Sequence, residues 1–182
     1  MTLRSFRSGA AALGLAMSLA AIAAADRLID PRSTLTATFT QEKVPVEAPF
    51  HKFSGHIDYD PANPAAAKAT LEVQTASLDI GSPEYNEEVQ GRKWFDTAHF
   101  PKGTFVSTAV VAKGPGKLQA TGNLTLKGRT APVTVFITVS KAGALTQFDG
   151  AFDLSRKAYG IDDPQWNDVL EDNVKVKFHL LQ

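Results

Sequence analysis

Eight stretches of this chain alternate apolar and polar side chains with a period of two, which is the pattern of β-strands that have one dry face and one wet face. In residues 117–127, for example, every second residue from Leu118 to Leu126 is apolar or very small, and the residues between are polar. Turn residues such as Gly114-Pro115-Gly116 separate the runs, and such short links predict antiparallel neighbours. The predicted strands are 33–41, 53–60, 67–77, 103–112, 116–127, 132–141, 145–155 and 173–181.

Two intervals depart from the strand pattern. In 83–101, Tyr85, Val89 and Trp94 recur at roughly helical spacing among charged residues, which predicts one or two short helices. The interval 156–172 is polar and rich in turn residues, so we expect it to be irregular. We expect these two insertions to form lids or rims of the folded domain.

The predicted inner face of the sheet alternates large and very small residues. A sheet of eight strands with one apolar face must close into a barrel or stack as two layers, and an eight-stranded barrel either fills with side chains or holds one small ligand. Two interpretations stay open: the small residues leave a cavity, or large neighbours cross over them to make a tight core. The small residues are Ala37, Gly55, Ser107, Ala109, Ala120, Gly122 and Gly150, and the large ones include Phe39, Phe53, Phe105, Leu124 and Phe152.

The N-terminal 25 residues have the composition of a secretory signal peptide. Arg4 and Arg7 precede an apolar run that ends in small residues at Ala23 and Ala25. The run is shorter than a membrane-spanning helix needs, and no second apolar segment follows it. We therefore expect residues 1–25 to be a cleaved leader and residues 26–182 to be one soluble, exported domain.

Composition excludes several classes of function. The chain has no cysteine, which rules out disulfides, thiol catalysis and cysteine metal sites. The full chain has 19 basic and 19 acidic residues, and removing Arg4 and Arg7 with the leader leaves two fewer basic than acidic ones. This charge balance does not predict a nucleic-acid surface. The four histidines have no metal-binding spacing, and no phosphate loop, nucleophile elbow or metalloprotease helix is present.

Two polar pairs in the first insertion are candidates for chemistry. Asp96 and His99 have the spacing of an orienting acid and a base, but no nucleophile is identifiable beside them, so we expect no catalysis. Arg92 and Lys93 have the charge to attract a phosphate or to polarise a quinone carbonyl. Because Glu87 and Glu88 are close by in the chain, we instead predict ion pairs on the helix surface.

A series of short motifs resembles the YceI-like family. The motifs are FSGHIDYDP (53–61), ASLD (76–79), WFDTAHFP (94–101), TF (104–105), GNLTLKG (122–128) and YGI (159–161), in the order and spacing of that family. The resemblance covers about 33–181 and implies an all-β fold: an eight-stranded antiparallel, lipocalin-like β-barrel with one or two short helices in the 83–101 insertion. It also implies an exported, periplasmic bacterial protein whose barrel holds a long apolar lipid, typically a polyisoprenoid or an isoprenoid quinone, without a covalent cofactor.

Thirteen residues are the candidate wall of such a lipid site. For the candidates on strands, contact with a ligand and packing in an ordinary hydrophobic core are equally good interpretations. Trp94, Phe95 and Phe100 are expected to plug or line one end of the barrel, or to dock the helix on the sheet. Tyr159 and Trp166 combine an apolar body with a polar tip, which suits either a mouth or a plain rim position. The candidates are Phe53, Trp94, Phe95, Phe100, Phe105, Leu124, Leu126, Val135, Ile137, Phe148, Phe152, Tyr159 and Trp166.

The favoured hypothesis is a periplasmic carrier for an isoprenoid-type lipid, in which the barrel shields the tail and the two insertions gate its entrance. The alternative is a protein-interaction or stress-related barrel with a filled core, whose insertions dock a partner. Transient contact with a membrane or a membrane protein fits both hypotheses. The sequence leaves a monomer and a homodimer equally open.

Overall fold

A computed structural model of the protein describes residues 29–182, and the predicted leader, residues 1–25, lies outside them. The described chain is nearly all-β, as predicted, but it has nine strands where eight were expected. The strands are β1 (Thr34–Gln41), β2 (Val44–Pro49), β3 (Phe53–Asp58), β4 (Lys68–Gln74), β5 (Lys102–Gly114), β6 (Lys117–Leu126), β7 (Arg129–Ala142), β8 (Leu145–Ser155) and β9 (Leu170–Leu181).

All nine strands form one curled antiparallel sheet in the order β2-β1-β9-β8-β7-β6-β5-β4-β3. The edge strand β3 is tied back to the far side of the sheet. The backbone N–H of Ile29 donates to the carbonyl of Gly55 in β3 (3.1 Å), and the N–H of the next residue, Asp30, donates to Leu181 in β9 (2.6 Å). The side-chain amide of Gln182 also pairs with both backbone groups of Ile57 in β3. The two ends of the described chain therefore close the seam of the curled sheet.

The strand that the sequence did not predict is β2, and its turn chemistry explains the omission. It follows β1 through Glu42 (φ 50°) and Lys43 (φ 66°), which adopt a left-handed conformation without the Asn or Gly that normally marks such a hairpin. It also contains Pro45 and Pro49, which argue against a central strand. Because β2 lies at the edge of the sheet, proline is tolerated there.

A β-bulge in β5 corrects one predicted inner-face position. The pairing of β5 with β6 shifts between Ser107 and Ala109, so that Val110 rather than Ala109 faces Ala120. A one-residue shift moves every following side chain to the other face. Ala109 is accordingly exposed, and its assignment to the inner face was wrong.

The two insertions contain little regular structure. The first has one short helix, α1 (Pro83–Glu88), followed by turns up to β5, and the second has two single 3₁₀ turns at Lys157–Tyr159 and Pro164–Trp166. Within residues 29–182, no helix has the length and apolar character needed to cross a membrane.

The apolar residues form three separate clusters rather than one continuous core. One surrounds Trp94, Leu126 and Tyr159 beneath the insertions. A second surrounds Ala48 and Leu78, and a third surrounds Phe148 and other residues near the opposite end of the sheet. Val89 and Phe95 pack against both of the first two clusters, whereas the third cluster shares no residue with either.

Candidate ligand-binding cavity

The inner face of the curled sheet forms a cavity of about 260 Å³, just below the usual range for small-molecule sites. Every strand except β2 contributes to its wall, together with residues of both insertions. The wall is almost entirely apolar. Phe39, Phe53 and Phe105 belong to it and are only half-buried, because their inward sides border the cavity instead of other atoms. The interior is therefore dry in character but not filled.

The small residues of the inner face do not themselves make this space. A Cβ at position 122 would overlap the ring of Phe105, and one at position 150 would overlap the ring of Phe178. Gly55 is covered in the same way by the side chain of Leu71. Cross-strand neighbours thus occupy the glycine positions, as the tight-core interpretation expected, while a cavity remains between the covering side chains.

The cavity brings together most of the residues that the sequence singled out. Eleven of the thirteen candidates line it: Phe53, Trp94, Phe95, Phe105, Leu124, Leu126, Val135, Ile137, Phe148, Phe152 and Trp166. The other two, Phe100 and Tyr159, are not part of the wall. The Phe100 ring packs on Gly128, where a Cβ would lie 2.7 Å from Phe100 Cε1. Tyr159 is buried in the cluster beneath the insertions, its hydroxyl has no hydrogen-bond partner among the described residues, and burial raises its pKa.

Sequence reasoning missed much of the opposite wall. The strand residues there alternate with period two in β1, β4 and β9, so the signal was available, but it lay outside the motifs that drew attention. Phe50, Leu78 and Ile80 lie between strands, and no periodicity marks them. The missed residues include Leu35, Phe50, Ile57, Tyr59, Leu71, Val73, Leu78, Ile80, Val89, Val174, Val176, Phe178 and Leu180. Ala37 and Phe39 also line the cavity; they were predicted on the inner face but not among the thirteen candidates.

The two insertions join to form a single structure at one end of the cavity. The N–H of Asp162 donates to the carbonyl of Lys93 (3.0 Å), and Lys93 Nζ lies 3.0 Å from Asp163 Oδ2. Lys127, in the β6–β7 turn, donates from Nζ to the carbonyls of Arg92 (2.8 Å) and Gly160 (2.6 Å), one in each insertion. The prediction that Lys93 pairs with the nearby Glu87 and Glu88 was wrong, because Lys93 pairs with Asp163 on the other insertion.

Trp94 and Trp166 contribute one aromatic side chain from each insertion to this end of the cavity. Their ring centroids are 6.5 Å apart with the planes at 63°. Trp94 Nε1 donates to Glu88 Oε1 at the end of α1 (3.2 Å), which fixes the orientation of the indole. The two rings present mostly apolar surface to this end of the cavity, and the polar N–H of Trp94 is paired.

Arg156 borders the cavity, yet it is fully engaged in structure. It is only 3% exposed, and its five N–H groups donate to the second insertion. The acceptors are the carbonyls of Glu171, Ile161 and Leu170 and the side chains of Asp162 and Asn167, at 2.8–3.1 Å. Since guanidinium has five donors in all, Arg156 has none left for a ligand head group. Its role is to hold the second insertion in place.

The candidate acid–base pair forms, but away from the cavity. His99 Nδ1 lies 2.8 Å from Asp96 Oδ1, and the His99 side chain is 60% exposed. Asp96 adopts φ 49°, so the pair stabilises a tight turn in the first insertion. Among residues 29–182, no group of three histidine or acidic side chains is placed to hold a metal ion.

The chain belongs to the family of YceI-like domains, which matches residues 28–181. Curated relatives include a UPF0312 protein of Vibrio cholerae serotype O1, 36% identical over 122 residues, which are 64% of this chain and 65% of that protein. A UPF0312 protein of Shewanella sp. strain ANA-3 is 42% identical over 86 residues, 47% of this chain and 45% of that protein. The match thus spans less than two thirds of the length of these relatives.

Solved structures share the fold. The crystal structure of Burkholderia cenocepacia BcnA superposes with a TM-score of 0.82 at 39% identity, covering 85% of this chain and 99% of that one. A polyisoprenoid binding domain from Saccharophagus degradans gives a TM-score of 0.68 at 18% identity, covering 85% of this chain and 95% of that one. The second likeness establishes the common architecture alone.

Proposed function

We propose that this protein is a carrier that binds one long apolar lipid inside the curled sheet. The observation that carries the proposal is the cavity itself: a dry space walled by eight strands and by residues of both insertions. A filled core, which the interaction hypothesis requires, would have no such space.

Apolar burial alone is able to supply the affinity. Each buried methylene contributes about 0.8 kcal/mol, and association costs about 4–15 kcal/mol in lost freedom. Several prenyl units in a dry cavity are enough to offset that cost. Because Arg156 has no free donor, the proposed site selects its ligand by shape and dryness rather than by a charged head group.

The chemical class that fits best is an isoprenoid lipid, either a polyisoprenoid or an isoprenoid quinone. A branched, unsaturated chain matches a wall built from phenylalanine rings and β-branched side chains. The polyisoprenoid binding domain that shares this fold supports the same choice. We further propose binding without turnover, since the Asp96–His99 pair lies outside the cavity wall.

The test is direct identification of the ligand. Protein purified from its natural host is extracted with organic solvent, and the extract is analysed by mass spectrometry; recovery of a stoichiometric prenyl lipid is expected. In parallel, the lipid-free protein is titrated with solanesol and with ubiquinone. Trp94 and Trp166 are the only tryptophans of the chain and both line the cavity, so their fluorescence should report uptake. Absence of lipid in the extract together with no uptake of either compound would refute the proposal.

A matched pair of variants tests whether the ligand binds in the cavity or on the outer face of the sheet. Ala120 is 3% exposed and lines the cavity, while the next residue, Gln119, lies on the outer face of the same strand. Ala120→Phe should reduce uptake at least about tenfold, because a ring takes the place of ligand carbon atoms. Gln119→Phe should leave uptake unchanged. Equal effects of the two variants would argue against binding in the cavity.

We also propose a periplasmic location, which the N-terminal pattern supports: Arg4 and Arg7, the apolar run, and small residues before Asp26. Expression of the full chain in its host should give protein in the periplasmic fraction, with an N-terminus near Asp26. Deletion of residues 2–25 should retain the protein in the cytoplasm. An uncleaved N-terminus in the cytoplasmic fraction would contradict this location.

A further inference from the structure

The wall of the cavity is interrupted between β4 and β5. The backbone pairing of these strands ends at Thr70 and Val106, although β5 continues to Gly114. In the same register the next pair would be Ala69 with Ser107. Instead, the N–H of Ala69 donates to the side-chain Oγ of Ser107 (2.8 Å). A hydroxyl therefore replaces the backbone carbonyl at the point where the two strands separate.

Two features keep the strands apart beyond this point. The β-bulge between Ser107 and Ala109 bends β5, as extra residues in a strand do. On the other side, β4 is preceded by the 3₁₀ turn Pro64–Ala66, which packs beside β5 without pairing to it. The part of β5 that extends beyond its pairing with β4 is therefore flanked on that side by a short turn and not by a strand.

A second cavity lies at this interruption and adjoins the central one. It is bordered by residues 65–70 on one side and 106–110 on the other. Ala67, Lys68, Ala69, Ser107 and Val110 border both cavities. Only a single layer of mostly small side chains therefore separates the interior of the sheet from its outer surface, at a site distant in sequence from both insertions.

We propose that this interruption is a lateral exit through which the far end of a bound prenyl chain leaves the sheet. The inference rests on the proposed lipid-binding function and adds a rule for ligand length. The central cavity, at about 260 Å³, is small for a long polyisoprenoid. With the polar end at the insertions and the tail passing between β4 and β5, chain length is not limited by the volume of the central cavity.

The experiment compares a short and a long prenol, farnesol and solanesol, in titrations of the full mature chain. Ala66→Trp and Ala109→Trp narrow the exit from opposite sides, at exposed positions that border the second cavity but not the central one. Thr134→Trp, an exposed position on the outer face of β7, is the matched control. Each exit variant should weaken solanesol binding at least about tenfold and leave farnesol binding unchanged, whereas the control should bind both as the unmodified protein does.

A second measurement does not depend on the folding of any variant. Solanesol with a photoreactive diazirine at its tail end is bound to the unmodified protein, irradiated, and mapped by mass spectrometry. Crosslinks within 65–70 and 106–110 are expected. Crosslinks confined to other parts of the cavity wall, or exit variants that weaken both prenols equally, would overturn the exit while leaving the lipid site intact. Failure of the unmodified protein to bind either prenol would instead refute the proposed function.

Discussion

Phe105 and Gly122 share one space on the inner face of the sheet: the Phe105 ring lies across Gly122, too close to leave room for a Cβ at that position. The two residues belong to neighbouring strands, and Phe105 itself faces Leu124 in the register. The ring therefore leans diagonally along β6, and the absence of a side chain at position 122 determines which way it leans. The same ring borders the cavity, so this pair shapes the wall as well as the core.

We predict that Gly122→Ala destabilises the protein by about 1–3 kcal/mol, the usual cost of overpacking. The new methyl group displaces Phe105 and also meets the Val106 carbonyl oxygen at 2.6 Å. Urea denaturation of the variant gives the change in the free energy of unfolding. Phe105→Leu should recover part of the loss in the double variant, but not all of it, because the Val106 carbonyl remains. Strictly additive effects of the two substitutions would contradict the contact.

The period-two alternation was enough to predict most of the sheet. Phe148 and Phe152 on β8, and Leu124 and Leu126 on β6, line the cavity as their alternation indicated. These strands are long and regular, and tight turns that contain glycine separate them. Where local pattern and tertiary position agree, sequence alone identifies both the strand and its inner face.

The remaining features depend on tertiary contacts that no local pattern records. Ala109 turned outward because a bulge shifted the register by one residue. Lys93 pairs with Asp163, 70 positions away, rather than with Glu87 and Glu88, which precede it in the chain. Tyr159 was expected at a mouth or at a rim because it has a polar tip, yet its hydroxyl is buried. The positions of Lys93 and Tyr159 depend on where the insertions fold back, which is fixed by long-range hydrogen bonds.

Lys127 should be the most important single side chain for holding the two insertions together. We predict that Lys127→Met destabilises the protein by about 1.5–3 kcal/mol, the usual value for hydrogen bonds made by a charged donor, because the carbonyls of Arg92 and Gly160 both lose their partner. Lys43→Met is the matched control, since Lys43 has a similar left-handed backbone (φ 66°) but is exposed. It should change stability by less than about 0.5 kcal/mol. Equal changes in melting temperature for the two variants would show that the hydrogen bonds from Lys127 to the two insertions do not contribute to stability.

The carboxylate of Asp79, the last residue of the ASLD motif, anchors α1 by accepting a hydrogen bond from Asn86 in that helix. Its pKa is lowered from 3.8 to about 2, first by the hydrogen bond from Asn86, then by those from the Gly81 N–H and His51. Because the pKa is lower in the folded state than in the unfolded state, the ionised group stabilises the fold. That contribution is complete above about pH 4 and is lost as the pH falls towards 2.

We predict that Asn86→Ala raises the pKa of Asp79 towards 3.8, measured from the carboxyl carbon shift in an NMR titration. Asn123→Ala, at an exposed position on β6, should leave that pKa unchanged. Because Asn86 Oδ1 also accepts from the N–H of Ile80 (2.7 Å), which borders the cavity, the variant should loosen this part of the wall. A pKa of Asp79 near 3.8 in the unmodified protein would contradict the hydrogen-bond arrangement.

Arg156 provides the sharpest test of how the mouth is built. Arg156→Met leaves three carbonyls and two side chains of the second insertion without their donor, so we predict a loss of about 3–5 kcal/mol, the range seen when a buried charged group is removed from its partners. Arg156→Lys should recover only part of it, since an ammonium cannot reproduce the planar array of five donors. Arg92→Lys, at an exposed position in the first insertion, should leave the free energy of unfolding almost unchanged.

The Arg156 guanidinium lies 6.0 Å from the ring centroid of Trp94, so both Arg156 variants should also alter tryptophan fluorescence. If Arg156→Lys proves as stable as the unmodified protein, a single charge is sufficient and the five-donor arrangement is not what orders the second insertion.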